Sequence, residues 1–385
     1  MNKPELAVVV TTFERPRHLR RVLLSLAAQR EPPPFEIVVA DDGSQDETPQ
    51  VVERFRKETG LAVKFVTHPH EGFCPARARN EGFAATAAPY VLFLDGDCVV
   101  PPDHLAVHMR ARHPGRAMTT DCLRLDQQMT QAFTEEAVQS GVFTRWVPRR
   151  EISRLRRAHL KAVFYHFLRH PTKPRVLSGN LALWREDFER INGFDENYRG
   201  WGCEDDDLGL RLHRAGVRVV SLRNRTWTFH LWHPRVATAP DKIRHGVNIE
   251  YFHRAGRLTR CRNGLVKRDV FDLDVVVTGQ PSECERLPGA LKDVLLRLIG
   301  RAQVCSDKRP EVEILVYGSH KNFHTTAECR VLIVSPAANP PASLVQSADV
   351  ICLTDHLPAP AMPSLKRGAR IVNPQDAATL WQIIG

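Results

Sequence analysis

The stretch that decides the fold is residues 6–29, LAVVVTTFERPRHLRRVLLSLAAQ. Residues 6–12 form an apolar, β-branched run, the pattern of a strand buried on both faces. From residue 17 the apolar positions change period: Leu19, Val22, Leu23 and Leu26 fall at helical spacing. Strand then helix is a β-α unit, and it repeats. Residues 35–40 read as strand and 47–59 as helix, with Val51, Val52 and Phe55 turned inward. Residues 61–66 read as strand, 75–87 as a helix with proline in its first turn, and 90–94 as a fourth strand. This alternation predicts an α/β fold built on a doubly wound, mostly parallel sheet. Ligands of such sheets sit beyond the carboxyl ends of the strands.

Outward from that core the pattern changes twice. Between residues 121 and 174 arginine accumulates (Arg145, Arg149, Arg150, Arg154, Arg156, Arg157) in what reads as a helical excursion. Its simplest reading is a solvated basic face, and peripheral contact of segment 145–169 with an anionic membrane is the alternative. Strand character resumes over 176–183, and 204–215 reads as a helix. Near Gly264 the composition shifts. Residues 273–277, 312–317, 330–334 and 349–353 then read as short strands with proline-rich connections at 336–341 and 358–363. The expected organisation is a large domain over residues 1–264 and a smaller α/β domain over 265–385. The second has neither a G-x-G-x-x-G turn nor a P-loop, and the role expected of it is structural or acceptor-docking.

The 385 residues are 43% hydrophobic and 25% charged, the composition of a globular chain able to bury a core. No run reaches the roughly 18 to 20 apolar residues that span a bilayer. The start lacks the features of a secretory signal, so the chain is expected to begin at Met1. Nine scattered cysteines without a C-x-x-C pair fit a reducing compartment, and the expected location is the cytoplasm, with association at the inner membrane face as a variant. Net charge is +10. That would suit a polyanion, but the basic residues follow no nucleic-acid reading motif, and no nucleic-acid partner is expected. The first β-α turn, Thr11-Thr12-Phe13-Glu14-Arg15, has no glycine to admit a pyrophosphate, which excludes a Rossmann dehydrogenase.

Three polar constellations carry chemistry. Asp95-Gly96-Asp97 follows the fourth strand, with glycine expected to let the backbone turn. Two carboxylates there suit a hard divalent cation, Mn²⁺ or Mg²⁺, that also takes diphosphate oxygens. In Gly200-Trp201-Gly202-Cys203-Glu204-Asp205-Asp206-Asp207, four acids open a helix, more than capping needs. Asp205 shares a helical face with Leu208 and Leu212, which makes it the candidate base. Asp207 can pair with Arg211 four residues on. Crowding by like charge raises a carboxyl pKa and helps it accept a proton. Trp201 between glycines offers an apolar platform for a sugar. Finally, His230 and His233 could each add a nitrogen ligand to a cation held by Asp97, with His230 favoured.

At this point the chain resembles an inverting family 2 glycosyltransferase of the GT-A fold. The resemblance rests on the ordered motifs of residues 8–15, 38–44, 78–82 and 93–97. Residues 192–196 and 200–207 are similar to the C-terminal catalytic segment of β-1,4-galactosyltransferases. Together they cover roughly residues 5 to 235. The resemblance implies that Asp42 binds the uracil or ribose of a nucleotide-sugar, with Thr11, Phe13 and Arg15 lining the base pocket and Arg79 near the diphosphate. Asp95 would contact ribose or metal, Asp97 the metal, with His230 as a further ligand and Asp95 or His233 less favoured ones. Asp205 would deprotonate the acceptor hydroxyl, while Gly179, Asn180, Trp201, Gly202 and Glu204 would face the donor sugar and acceptor. The implied partners are a nucleotide-sugar, UDP-linked by preference, and a glycan or glycolipid acceptor. Two departures stand out: Thr11 replaces the usual proline, and Glu14 a common asparagine. The rival readings are a retaining GT-A transferase and a non-catalytic nucleotide-sugar or glycan-binding protein.

Overall fold

The structure, a computed structural model, describes residues 3–170, 172–234, 246–285, 287, 289–301, 309–334, 338–354, 365–367 and 369–372. Of the proline-rich connections, Pro336 and the whole of 358–363 lie outside these residues. Two compact units are present, Met1–Ile249 and Glu250–Gly385.

The first unit is built around a seven-stranded main sheet, and its β-α alternation is the expected one. Strand β1 (Leu6–Thr12) leads into helix α1 (Pro16–Ala27), β2 (Phe35–Asp41) into α2 (Thr48–Thr59), and β3 (Val63–Thr67) into α3 (Pro75–Ala84). Strand β4 (Tyr90–Asp95) follows. Residues 6–10 of β1 and 90–94 of β4 are shut off from solvent, as a continuous apolar run demands.

The chain then makes β5 (Cys98–Val99), α4 (His104–Ala111), β6 (Arg116–Thr119), β7 (Cys122–Arg124), α5 (Gln127–Ala132), α6 (Glu135–Ser140) and the long α7 (Arg149–Phe167). The remaining elements are β8 (Asn180–Trp184), α8 (Arg185–Arg190), α9 (Glu204–Arg214), β9 (Arg218–Ser221) and β10 (Thr228–His230). The main sheet runs in the order β3-β2-β1-β4-β8-β6-β9. All its pairs are parallel except those of β8, which runs antiparallel to β4 and β6.

This order places the site. From β1 the chain steps outward to β2 and β3, then returns to lay β4 on the other side of β1, so the strand order switches between β1 and β4. Thr11 of β1 lies opposite Asp95 of β4, and Thr12 opposite Asp41 of β2. Three strands thus deliver polar residues to one edge.

A second, three-stranded sheet, β5-β10-β7, is what local patterning could not foretell. It pairs His230 directly with Cys98, and the amide of Leu231 donates to the carbonyl of Asp97 at 2.8 Å. Phe143 packs edge to face on Phe229, and Phe133 lies tilted against both.

The second unit holds a five-stranded parallel sheet in sequential order: β11 (Val275–Thr278), β12 (Val312–Val316), β13 (Cys329–Val334), β14 (Val350–Leu353) and β15 (Arg370–Val372). It has its own apolar clusters, one centred on Leu295, Ile314 and Val331, the other on Leu332, Val345 and Ile351. The division at Ile249 falls ahead of the compositional shift at Gly264. Leu258 packs into this unit's core, and Thr259 bonds Glu328 through both its amide and its hydroxyl, at 2.6 Å each. All eight cysteines among the described residues are free thiols, and no described helix is long and apolar enough to cross a membrane.

Candidate active site

The Asp95-Gly96-Asp97 turn is held by sterics as much as by hydrogen bonds. Gly96 does not adopt positive φ. Glycine is needed for close approach instead: its amide donates to the Thr11 carbonyl at 2.7 Å, and a Cβ there would lie 2.8 Å from that oxygen. Gly179, just before β8, has the same kind of reason. A Cβ on it would come 2.3 Å from Oδ2 of Asp95, so only glycine lets that carboxylate lie against the backbone.

Two clusters grow from the turn. Around Asp97, Nε2 of His233 lies 3.3 Å from Oδ2 and Nε2 of His230 3.7 Å from Oδ1. Arg15 Nη1 donates to Oδ2 at 3.2 Å, and its Nη2 is 3.2 Å from Nδ1 of His233. Burial opposes the charge of Asp97, but the His233 hydrogen bond and the nearby His230 and Arg15 outweigh it and hold its pKa at about 2. Oxygen and nitrogen atoms of Asp97, His230 and His233 fall within 4.8 Å of one another, and a second group joins Asp95, Asp97 and Cys98. An anionic carboxylate with two imidazoles is a donor set that fits a divalent cation. Arg15, on Nδ1 of His233, leaves Nε2 of that ring toward Asp97. Both His230 and His233 lie beside Asp97, with His233 the closer.

Around Asp95 the key group is Arg79 of α3, a buried side chain. Its Nη2 donates to Oδ1 of Asp95 at 3.0 Å, its Nη1 lies 3.7 Å from Oε1 of Glu204, and its guanidinium sits 5.3 Å from the centre of the Phe194 ring. Thr11 Oγ1 donates to Asp95 Oδ1 at 3.3 Å. Through Arg79 the end of β4 is joined to the first turn of α9, 109 positions on by the numbering of Asp95 and Glu204. Burial, then the adjacent charge of Asp205, push the Glu204 carboxyl up to about 7 against the pull of Arg79. Burial raises Asp205 too, opposed by Arg79 and by the Ser178 amide, which donates to Oδ2 at 3.2 Å. Oδ1 of Asp205 and both Nε and Nη1 of Arg79 are buried without a hydrogen-bond partner among the described residues. Orphaned atoms of this kind leave hydrogen-bonding capacity that a bound group could use.

Asp207 takes the structural role expected of it: Oδ2 accepts from Arg211 Nε at 2.6 Å and Oδ1 from Tyr198 at 3.1 Å, all three side chains buried. Trp201 is exposed, and Asn248 Nδ2 secures its loop by donating to the Gly202 carbonyl at 3.0 Å.

Thr11, Phe13 and Arg15, the residues expected to line a base pocket, each meet a different group. Thr11, in β1 opposite Asp95, serves Asp95, and Arg15, just ahead of α1, serves Asp97. Phe13 stays on the Asp42 side, where its ring stacks on His70 at 4.2 Å. Asp42 itself accepts from the Cys74 amide at 3.0 Å and meets His68 Nε2 at 2.8 Å, while Nδ1 of His68 is 2.7 Å from Glu81. The sequence reading missed His68 and His70; a polar residue directly after strand β3 was their only signal. Asn180, the first residue of β8, is buried with its amide 3.2 Å from His104 Nε2.

Residues 7–169 match the glycosyl transferase family 2 model, and residues 158–234 match that for the N-terminal domain of galactosyltransferase. Over residues 7–169 the first unit is similar to glycosyltransferase family 2. The chain is 33% identical over 251 residues to a validoxylamine A glucosyltransferase of Streptomyces hygroscopicus subsp. limoneus, covering 61% of this chain and 53% of that one. It is 28% identical over 235 residues to a chondroitin synthase of Pasteurella multocida, covering 56% and 24%. The chain spans about half the length of the glucosyltransferase relative. Among solved structures, it is similar to a mannosyltransferase from Pyrobaculum calidifontis in complex with GDP-Man and Mn²⁺. That likeness has 21% identity and a TM-score of 0.44, over 64% of this chain and 66% of that one.

Proposed function

We propose that the chain is a metal-dependent, inverting glycosyltransferase that moves a sugar from a nucleotide-sugar to an acceptor hydroxyl on a glycan or glycolipid. The observation that carries this reading is Arg79, a buried cation bonded to Asp95 and set beside Glu204, with orphaned donors next to the orphaned Oδ1 of Asp205. A buried cation with free N–H groups suits a diphosphate, and a buried carboxylate with a free oxygen suits a hydroxyl proton.

In the proposed reaction Asp205 Oδ1 accepts the proton of the acceptor hydroxyl as that oxygen attacks the anomeric carbon from the face opposite the leaving diphosphate. The Ser178 amide on Oδ2 holds the carboxylate in place for this. Arg79 offsets negative charge on the donor side. Asp97, His230 and His233 would hold Mn²⁺ or Mg²⁺, which when bound supplies Lewis-acid stabilisation of the departing diphosphate. Phe13, stacked on His70, offers an aromatic face for the base beside Asp42, Trp201 an exposed face for a sugar, and Gly179 the space for Asp95. A UDP-sugar is the preferred donor, and glucose is the first sugar to try given the glucosyltransferase relative. The second unit is assigned a structural or acceptor-docking role, and the proposed site of action is the cytoplasm.

The test is a thermal-shift panel of UDP- and GDP-sugars with and without Mn²⁺, followed by turnover of Asp205→Asn and Asp97→Ala. We expect Asp205→Asn to keep donor binding and lose transfer by at least about a hundredfold, the low end for a general base. Asp97→Ala should abolish the Mn²⁺-dependent part of the shift. Turnover by Asp205→Asn near the wild-type rate would remove the base from this scheme.

A further inference from the structure

Helix α7 buries very little of itself. Among its nineteen residues only Leu155 and Ala162 are fully buried, seven positions apart and hence on one stripe. The stripe packs toward β9, where His166 Nδ1 lies 3.2 Å from the Val219 carbonyl. On the opposite side the last turns expose a run of large apolar side chains: Leu160 at 67%, Val163 at 49%, Phe164 at 58%, Phe167 at 82% and Leu168 at 54%. A merely solvated basic face, the simplest sequence reading, would not carry them. Scattered exposed apolar residues are ordinary, but five on one helix end form a patch that marks a contact.

The charges flanking the patch choose the occupant. Arg149, Arg150, Arg156 and Arg157 are exposed on the same helix and Lys161 lies within it, 5.8 Å from the Tyr165 ring centre. Arg156, Arg157 and Lys161 form no ion pair among the described residues; Arg154 is the arginine that does, with Glu151 and Asp121. A second copy docked face to face would set these arginines against their own counterparts, so a self-interface is disfavoured. Apolar side chains at helical spacing, ringed by uncompensated Arg and Lys, are the composition of a helix that lies in a bilayer interface.

We propose that the outer face of α7 docks the protein on an anionic lipid bilayer, with Leu160, Phe164, Phe167 and Leu168 entering the headgroup boundary and Arg156, Arg157 and Lys161 meeting lipid phosphates. The inference does not depend on the catalytic reading, since no residue of the Asp95, Asp97 or Asp205 clusters lies on α7.

The experiment is flotation of the full chain with phosphatidylcholine vesicles, with and without about one-third phosphatidylglycerol, over a salt series. The wild-type protein should float only with the phosphatidylglycerol vesicles, and less as salt rises. The double variant Phe164→Ser/Phe167→Ser should lose flotation. Each basic residue near an anionic surface is worth about fivefold in binding, so Arg156→Gln/Arg157→Gln should weaken it about 25-fold. Both pairs are solvent-exposed, so unaltered circular dichroism is expected to show that the fold persists, and the arginine pair stands as the test if the phenylalanine pair does not fold. Failure to bind phosphatidylglycerol vesicles overturns the proposal, as does equal binding by both variants. So does a change of oligomeric state in lipid-free Phe164→Ser/Phe167→Ser, which would name a second copy as the occupant. Equal binding of wild type to polyglutamate and to the vesicles would name an acidic protein.

Discussion

Glu204 and Asp205 are neighbours in sequence with distinct surroundings, and the difference is chemical. Arg79 lies beside Glu204, the Ser178 amide holds Oδ2 of Asp205, and burial raises both carboxyls. Two interacting acids titrate as a pair, so an apparent pKa belongs to both. With Glu204 pushed up to about 7, the pair still holds a proton in mildly acidic solution and releases it toward neutrality. Turnover should therefore rise with pH through an acidic limb near 7. Glu204→Gln removes one charge and should move that limb to lower pH while Asp205→Asn abolishes turnover throughout; a limb unmoved in Glu204→Gln would separate Glu204 from the titrating unit. At this scale the chain was partly legible. Four acids exceed what a helix cap requires, which pointed to Asp205, whereas nothing local showed that Arg79 lies across from it.

Among the elements, α4 shows how packing creates a pH dependence far from any charge network. His104 and His108 are four apart, on one face of α4, and both are completely buried with ring centres 4.7 Å apart. His104 Nδ1 lies 2.6 Å from the Thr226 hydroxyl, and Asn180 of β8 meets Nε2 of the same ring. Burial lowers the His108 pKa to about 4, against an ordinary 6.5. Unfolded histidine takes up its proton near pH 6.5 while folded His108 does not until about 4, so between these values protons favour the unfolded chain. Stability should fall across that window as pH falls, by about 3 kcal/mol from His108. Urea melts at pH 7 and pH 4.5 measure it, and His108→Gln should shrink the difference; an equal loss in the variant would place the titration elsewhere. The sequence carried these histidines without marking them, because a buried neutral imidazole and an exposed one look alike until the neighbouring strands are placed.

At the scale of the whole molecule, the two units have separate cores, and the clusters around Asp95, Asp97 and Asp205 lie in the first. If the donor binds at the ends of β1 and β4, a nucleotide-sugar with Mn²⁺ should slow amide exchange in β1, β4 and the first turn of α9. It should leave β11 to β15 unchanged. Saturating ligand at a hundredfold over its Kd would add about 2.7 kcal/mol to the stability of the state that binds it. Protection confined to β11 to β15 would move the site to the second unit.

What the amino-acid sequence determined alone is the part encoded by period and local chemistry. A buried parallel strand must be apolar along its length, an amphipathic helix must repeat every third or fourth residue, and a strand end must turn polar, so residues 6–95 were readable one segment at a time. The Asp207 to Arg211 pair was readable for the same reason, being four residues apart on one helix. Tertiary structure decided whatever depends on which segments pair. The antiparallel match of β10 with β5 brought His230, and His233 in the segment just after β10, beside Asp97, and the switch between β1 and β4 drew Thr11 and Arg15 to the acids. The packing of α7 on a single narrow stripe left its aromatic end in solvent. Such pairings are set by the free energy of burying whole faces against each other, to which each segment contributes a share that its own sequence cannot reveal.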